Sequence, residues 1–173
     1  SSTISIVGTY FASNSSAGGG FGGAMHVDGA SPAGVNGEVR ITGSTFSGNT
    51  AVSQGGAIYF YLHQEKSETF TLDTVNVVNN QVVDSGVIDW VGTRGFGGGL
   101  AGDQGNVVIR NGTFAGNIVR GQVSSNGGGA GGGVSLVQNL TASIVNTTIS
   151  GNRARGGDSN ASGGGLEIGR AHV

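Results

Sequence analysis

Short stretches of apolar–polar alternation recur along the 173-residue chain. Ile4 and Ile6, Val39 and Ile41, Phe70 and Leu72, Val107 and Ile109, and Ala142 and Ile144 flank Ser5, Arg40, Thr71, Val108 and Ser143. A period of two with a mostly polar middle position is the pattern of a strand with one buried face. Each stretch is followed by a bulky apolar residue three places before an asparagine: Phe11–Asn14, Phe46–Asn49, Val77–Asn80, Phe114–Asn117 and Ile149–Asn152. A glycine-rich run then opens a second strand at Met25, Ile58, Leu100, Val134 and Leu166. In that strand Met25/Val27, Ile58/Phe60, Leu100, Val134/Leu136 and Leu166/Ile168 point one way, and His26, Tyr59, Ala101, Ser135 and Glu167 the other.

The asparagines lie 35, 31, 37 and 35 residues apart, so the chain is a repeat protein. No segment has a helical period with caps, and each glycine inside a helix would cost about 1 kcal/mol. Each repeat carries two clear strands and a third short one at the Phe-x-x-Asn segment. Such repeats stack as coils of a parallel β-helix, one above the next at about 4.8 Å. The Phe/Val/Ile column is expected to form an internal stack. Asn14, Asn49, Asn80, Asn117 and Asn152 are expected to form an amide ladder at a corner whose left-handed backbone asparagine tolerates. The glycines serve the next corner, where φ > 0 or crowding excludes a Cβ.

From asparagine to the last glycine the intervals are 9, 7, 19, 16 and 13 residues, so insertions gather at one corner. Residues 81–97, 118–131 and 153–163 are expected to be neighbouring loops on one side of the rod, where binding tends to reside. Asp28–Glu38 and Tyr61–Thr69 form a second insertion point. The richest polar constellation falls on the first set: Asp84, Asp89, Trp90 and Arg94, then Arg120, then Arg153, Arg155 and Asp158. A tryptophan beside Arg and Asp stacks on a sugar ring and hydrogen-bonds its hydroxyls; alternatively, Trp90 covers Val87, Ile88 and Val91 of its own loop.

With Phe-Ser-Gly-Asn at 46–49 and Gly-Gly-Ala-Ile at 55–58, the chain resembles the polymorphic outer membrane protein repeats, defined by FxxN and GGA[ILV]. Coil one keeps Phe11-Ala-Ser-Asn14 and Gly22-Gly-Ala-Met25, coils four and five keep Gly-Gly-Gly-Val and Gly-Gly-Gly-Leu, and coil three replaces Phe with Val77. The resemblance implies an all-β, right-handed parallel β-helix of the pectin-lyase-like kind, here about five coils. It also implies a large bacterial surface protein whose passenger, carried by an autotransporter barrel, serves adhesion.

Composition narrows the picture further. There are 37 glycines but one proline and no strict third-residue period, which argues against collagen and proline-rich linkers. Net charge is −2 with no basic run, which argues against nucleic acid as a partner. There is no cysteine, and no apolar stretch is long enough for a membrane-spanning helix. Ile168-Gly-Arg-Ala-His-Val173 reads as the translation of a sequencing-library adapter, so 168–173 is set aside and 1–167 is read as an uncapped β-helix fragment, prone to end-to-end self-association.

No cofactor or metal site is expected, because His26 and His63 lack partners at ligand spacing. Gly18–Gly23 and Gly127–Gly132 fit GxGxxG in form only, since strands and not helices follow. Gly97–Asp103 stands alone where calcium-binding nonapeptides come in tandem, and the outward rows are too irregular for an ice-binding array. Sequons occur at Asn14, Asn111, Asn139, Asn146 and Asn160, as chance provides in a chain so rich in Asn, Ser and Thr. Arg40, Asp73, Arg110 and Glu167 are outward charges read as sitting at different offsets, without an acid/base cluster. The expected role is therefore a non-catalytic extracellular or cell-surface stalk of adhesin type, outer-membrane-associated if bacterial, presenting loops to a glycan or a neighbouring cell surface. The alternative is a fragment of a carbohydrate-active enzyme, a polysaccharide lyase or hydrolase.

Overall fold

The computed structural model describes residues 3–18, 20–30, 36–63, 65, 67–83, 95–120, 129–156 and 161–169. The described secondary structure is almost wholly strand. The first turn runs through β1 (Thr3–Val7), β2 (Tyr10–Ala12) and β3 (Met25–Asp28). The second holds β4 (Glu38–Thr42), β5 (Thr45–Ser47), β6 (Thr50–Ala51) and β7 (Ile58–Tyr61), and the third opens with β8 (Thr69–Asp73), β9 (Asn76–Val78) and β10 (Gln81–Val82). Next come β11 (Leu100–Arg110), β12 (Thr113–Ala115) and β13 (Ile118–Arg120). The chain continues through β14 (Val134–Val145), β15 (Thr148–Ser150), β16 (Arg153–Arg155) and β17 (Leu166–Gly169).

Every pairing is parallel and joins equivalent strands of successive turns, which makes the chain a parallel β-helix. A long sheet stacks β1, β4, β8, β11, β14 and β17, with β3 and β7 joining beside β11. A second sheet stacks β2, β5, β9, β12 and β15, and a short sheet stacks β6, β10, β13 and β16. Thr3 pairs with Glu38, Glu38 with Thr69, Thr69 with Asn106 and Asn106 with Thr141. Five copies of the motif are joined by four such steps, so there are about four complete turns where the repeat count suggests five. The strand pairing extends to Ile168 and Gly169, which lie beside Leu136 and Val137; residues 170–173 are outside the described residues.

Two features differ from the sequence reading. The glycine-following strand of one repeat and the alternating strand of the next belong to one sheet, and in β11 and β14 they fuse end to end. The junction in β11 is a register shift between Asp103 and Gly105, where Gln104 (φ 59°) and Gly105 (φ 80°) adopt left-handed backbone. Gln138 (φ 63°) repeats the device in β14. In the earlier turns the second insertions separate the halves. The short sheet is also new: residues 81–82, 118–120 and 153–155 are strands, not the beginnings of loops. They turn Ala51, Val82, Val119 and Ala154 inward as a small apolar cluster.

The core consists of columns. Phe11, Phe46, Val77, Phe114 and Ile149 are in register along the second sheet, and the Phe11 and Phe46 rings stack at 4.5 Å and 7°. Ile41, Leu72 and Ile109 form a parallel column on the long sheet and are fully buried. Phe60 is in register with Gly102, and its ring occupies the space a Cβ there would need. Burying one such side chain contributes roughly 1.5–3 kcal/mol. Ile4, Val7, Tyr10, Val145 and Ile168, the large exposed apolar side chains among the described residues, belong to the first and last turns, which have a neighbour on one side only.

The asparagine ladder forms in full. Asn14 donates from its amide Nδ2 to Asn49 Oδ1 at 2.9 Å, Asn49 to Asn80 at 2.9 Å, Asn80 to Asn117 at 3.0 Å and Asn117 to Asn152 at 2.9 Å. The backbone N–H of the donor residue reaches the same oxygen at 2.8–3.0 Å in each step. The second amide hydrogen goes to the carbonyl of the bulky residue one turn back, as from Asn80 Nδ2 to Phe46 O at 3.0 Å. Asn49, Asn80 and Asn117 are completely buried, and each makes these three donations while its Oδ1 accepts two.

The left-handed residue at that corner is not the ladder asparagine, as the sequence reading had it. It is the residue before: Ser13, Gly48, Asn79, Gly116 and Gly151 all have φ between 54° and 65°. This frees the asparagine side chain to point along the axis. At the next corner glycine is obligatory, as expected. Gly55 has φ +63° and a Cβ there would strike the Ile58 carbonyl, while at Gly56 it would strike the Gly98 carbonyl of the following turn.

Candidate functional site

Of the constellation expected on the insertion loops, Asp84, Asp89, Trp90, Arg94 and Asp158 lie outside the described residues. The structure does bring Arg120, Arg153 and Arg155 together. Alternation turns Val119 and Ala154 inward, so the flanking arginines project outward from the short sheet and are exposed. Arg120 stands in register with Arg155, and Arg153 with Ile118.

The remaining described arginines are paired. Arg40 meets Glu38 at 2.9 Å within its own strand. Arg110 meets Asp73 at 2.8 Å across a turn, and the two are in register. These two outward charges therefore share an offset, contrary to the sequence reading. Both stand four residues before the bulky position of their repeats. Hydrogen bonds from Asn111 and Arg110 hold the Asp73 carboxyl below its ordinary range. Together with Asn146 Nδ2 donating to Asn111 Oδ1 at 2.8 Å, they lace an exposed corner; this is a structural contact.

A different site escapes sequence reasoning. On the outward face of the long sheet, Phe21, His26, Asp28, Tyr59 and Tyr61 line a shallow cavity of about 250 Å³. His26 and Asp28 come from β3, and their register partners Tyr59 and Tyr61 from β7. Phe21 comes from the corner before the glycines, where it bridges Gln54 of the next turn. The Phe21 and Tyr59 rings lie 4.8 Å apart at 36°, and His26 stands edge-on to Tyr59 at 5.1 Å. Tyr59 is nearly buried, whereas His26 and Asp28 are exposed. The outward row His26, Tyr59, Ala101, Ser135 and Glu167, which is irregular in sequence, is thus an aromatic shelf at one end, the sheltered small residues Ala101 and Ser135 in the middle and the partly exposed Glu167 at the other end.

The shelf continues into a polar chain. Gln104 Nε2 donates to the Tyr61 hydroxyl at 3.0 Å, and Gln138 Nε2 donates to Asp103 Oδ2 at 2.8 Å. Asp103 shares its register column with Asp28, one strand either side of Tyr61. It is only 3% exposed, so the groove offers one accessible carboxylate, that of Asp28. On the other flank of Tyr61, His63 forms an edge-on contact at 5.7 Å and pairs with the buried Glu68 at 3.3 Å. Burial pushes the Glu68 carboxyl up, but hydrogen bonds led by the His63 amide outweigh it and leave it below its ordinary value.

Burial pushes the Asp103 carboxyl up to about 6, and its Oδ1 has no hydrogen-bond partner. The folded chain therefore keeps this proton over a range in which the unfolded chain, near the ordinary 3.8, has lost it. Stability from this group is greatest below that ordinary value, declines as pH rises through about 6, and is flat above. Asp103→Asn, which keeps an acceptor for Gln138, is expected to remove that decline. Urea midpoints measured from pH 4 to pH 8 check this; an unchanged slope in the variant would assign the decline elsewhere.

Chemically the shelf suits binding. Aromatic faces at van der Waals depth, with a carboxylate, an imidazole and a phenol hydroxyl at the rim, match a sugar's apolar ring face and its hydroxyls. Among the described residues no three His, Cys, Asp or Glu side chains converge on a common point, and no helix is long and apolar enough to cross a membrane. No protein-family model, curated protein or solved structure matches the chain.

Proposed function

We propose that this chain is a non-catalytic segment of an extracellular or cell-surface β-helix stalk, and that the aromatic shelf on its long sheet binds a glycan. The single observation carrying the reading is the groove of Phe21, His26, Asp28, Tyr59 and Tyr61, in which side chains from two turns and a corner converge. The Phe-x-x-Asn and Gly-Gly-Ala-Ile pattern supports a surface protein of the polymorphic outer membrane protein type, with an adhesive task. The motif residues themselves are occupied in the core and corners, so contact with a ligand falls to the outward faces.

A glycan array probed with the wild-type chain and with Tyr61→Ala tests this. The wild type is expected to retain a defined set of neutral hexose-containing glycans. Tyr61→Ala is expected to lose about tenfold in affinity for them, on the scale of the roughly 1–3 kcal/mol that an aromatic stacked on a nucleobase contributes. Its fold should remain intact, because Tyr61 projects outward. An empty array, or equal binding by the variant, would reject the shelf as the site.

A further inference from the structure

We infer that the short sheet carries a second site, an anion-binding strip of Arg120, Arg153 and Arg155 that takes an acidic polysaccharide chain. The sequence contains eight Lys and Arg residues, five of them at described positions. Arg40 and Arg110 have carboxylate partners. The other three are gathered on one face of β13 and β16, all exposed, and among the described residues none of their side chains forms an ion pair or a hydrogen bond. Adjacent like charges in register destabilise a sheet. Here Arg120 and Arg155 are direct register neighbours at the strand spacing of about 4.8 Å, and Arg153 and Arg155 project from one face about 6.7 Å apart along the strand. The outward positions below them, Thr50, Gln81 and Ile118, supply no carboxylate.

The spacing decides the ligand class. Three guanidinium groups spread over two rungs and along one strand suit anions repeated along a chain better than a single small ion. Guanidinium pairs in a two-pronged way with carboxylate or sulfate, the charged groups of acidic polysaccharides. Single-stranded nucleic acid, the competing polyanion, is held by bases stacked on aromatic side chains. The outward face of the short sheet presents Thr, Gln, Ile and Arg, with no aromatic residue in its strands. The strip is separate from the aromatic shelf in sheet, turn and chemistry, so it stands or falls independently of the glycan reading above.

The test is binding of the chain to immobilised heparin and polygalacturonate, with dextran as the neutral polymer and oligo-dT as the competing polyanion. The sulfated and uronate arms separate the two sources of negative charge. Binding to at least one acidic polysaccharide is expected, weakening with salt as the screening length falls to about 8 Å at 0.15 M, while dextran is ignored. The combined variant Arg120→Gln, Arg153→Gln, Arg155→Gln should lose at least about tenfold, and each single variant a part of it. The unfolding midpoint should hold or rise, since like-charge repulsion is removed. Tyr61→Ala should leave this binding untouched. Absence of binding to both acidic polymers, full binding by the triple variant, or oligo-dT binding as strong as the polysaccharides would overturn the assignment.

Discussion

Asn80→Ala is expected to cost about 3–5 kcal/mol, a very large effect for one small polar side chain. The substitution leaves the Asn49 backbone N–H and one hydrogen of the Asn49 amide without partners at a completely buried site, and it removes the side-chain donor from the Phe46 carbonyl. Each stranded group costs about 1–3 kcal/mol, and some of the sum is recovered as neighbours shift. Asn117 suffers less, because its Oδ1 still accepts the Asn80 backbone N–H. Asn14→Ala is the informative contrast: the same motif position, but exposed, donating one side-chain bond to an oxygen that keeps a second donor. It is expected to cost about 1 kcal/mol or less. Urea unfolding of the two variants reads the difference directly, and equal losses would mean that burial does not set the ladder's worth.

Phe46→Ala comes next, at about 3–5 kcal/mol. The ring is fully buried between Phe11, on which it stacks at 4.5 Å, and Val77. Parallel sheets fix the turns above and below, so the backbone cannot collapse into the space and a cavity remains. The two large effects also couple, because the Asn80 amide donates to the Phe46 carbonyl. A double-mutant cycle should therefore fall short of additivity, the first substitution having already loosened the corner that the second disturbs.

Much of this rod is legible in the sequence because its order is periodic. Alternation at Val39/Ile41 or Phe70/Leu72 marks strands, and one bulky residue per repeat marks the column that includes Phe46. A recurrent asparagine at a turn marks the ladder. What escapes is what the period does not encode. The short sheet has strands of two or three residues, too brief for alternation to register, although an apolar residue two places after each of Asn49, Asn80, Asn117 and Asn152 is a usable trace: Ala51, Val82, Val119 and Ala154. The fusion within β11 depends on two successive left-handed residues, Gln104 and Gly105, of which the glutamine is a type with no special liking for that conformation. Asparagine's tolerance of left-handed backbone points to the ladder residue as the corner, one position late; Gly48, Gly116 and Gly151 mark the true position.

The sites divide in the same way. Arg120 and Arg155 both stand three residues after their ladder asparagines, so their meeting is legible from offset alone. The aromatic shelf is not, because Phe21 approaches from a corner while His26 and Tyr59 occupy a row that looks irregular when read down the repeats. Function on a solenoid is written in such departures from the period, since the periodic residues are consumed by the fold.

Side-chain hydrogen exchange tests most directly whether the periodic residues are consumed by the fold. In a native-state NMR experiment the Nδ2 protons of Asn49, Asn80 and Asn117 are predicted to be protected to the level of the core strand amides, because both hydrogens of each are held inside the rod. Exchange of these three amides at the rate of exposed asparagines would contradict it, and the motif residues would then be free to meet a ligand.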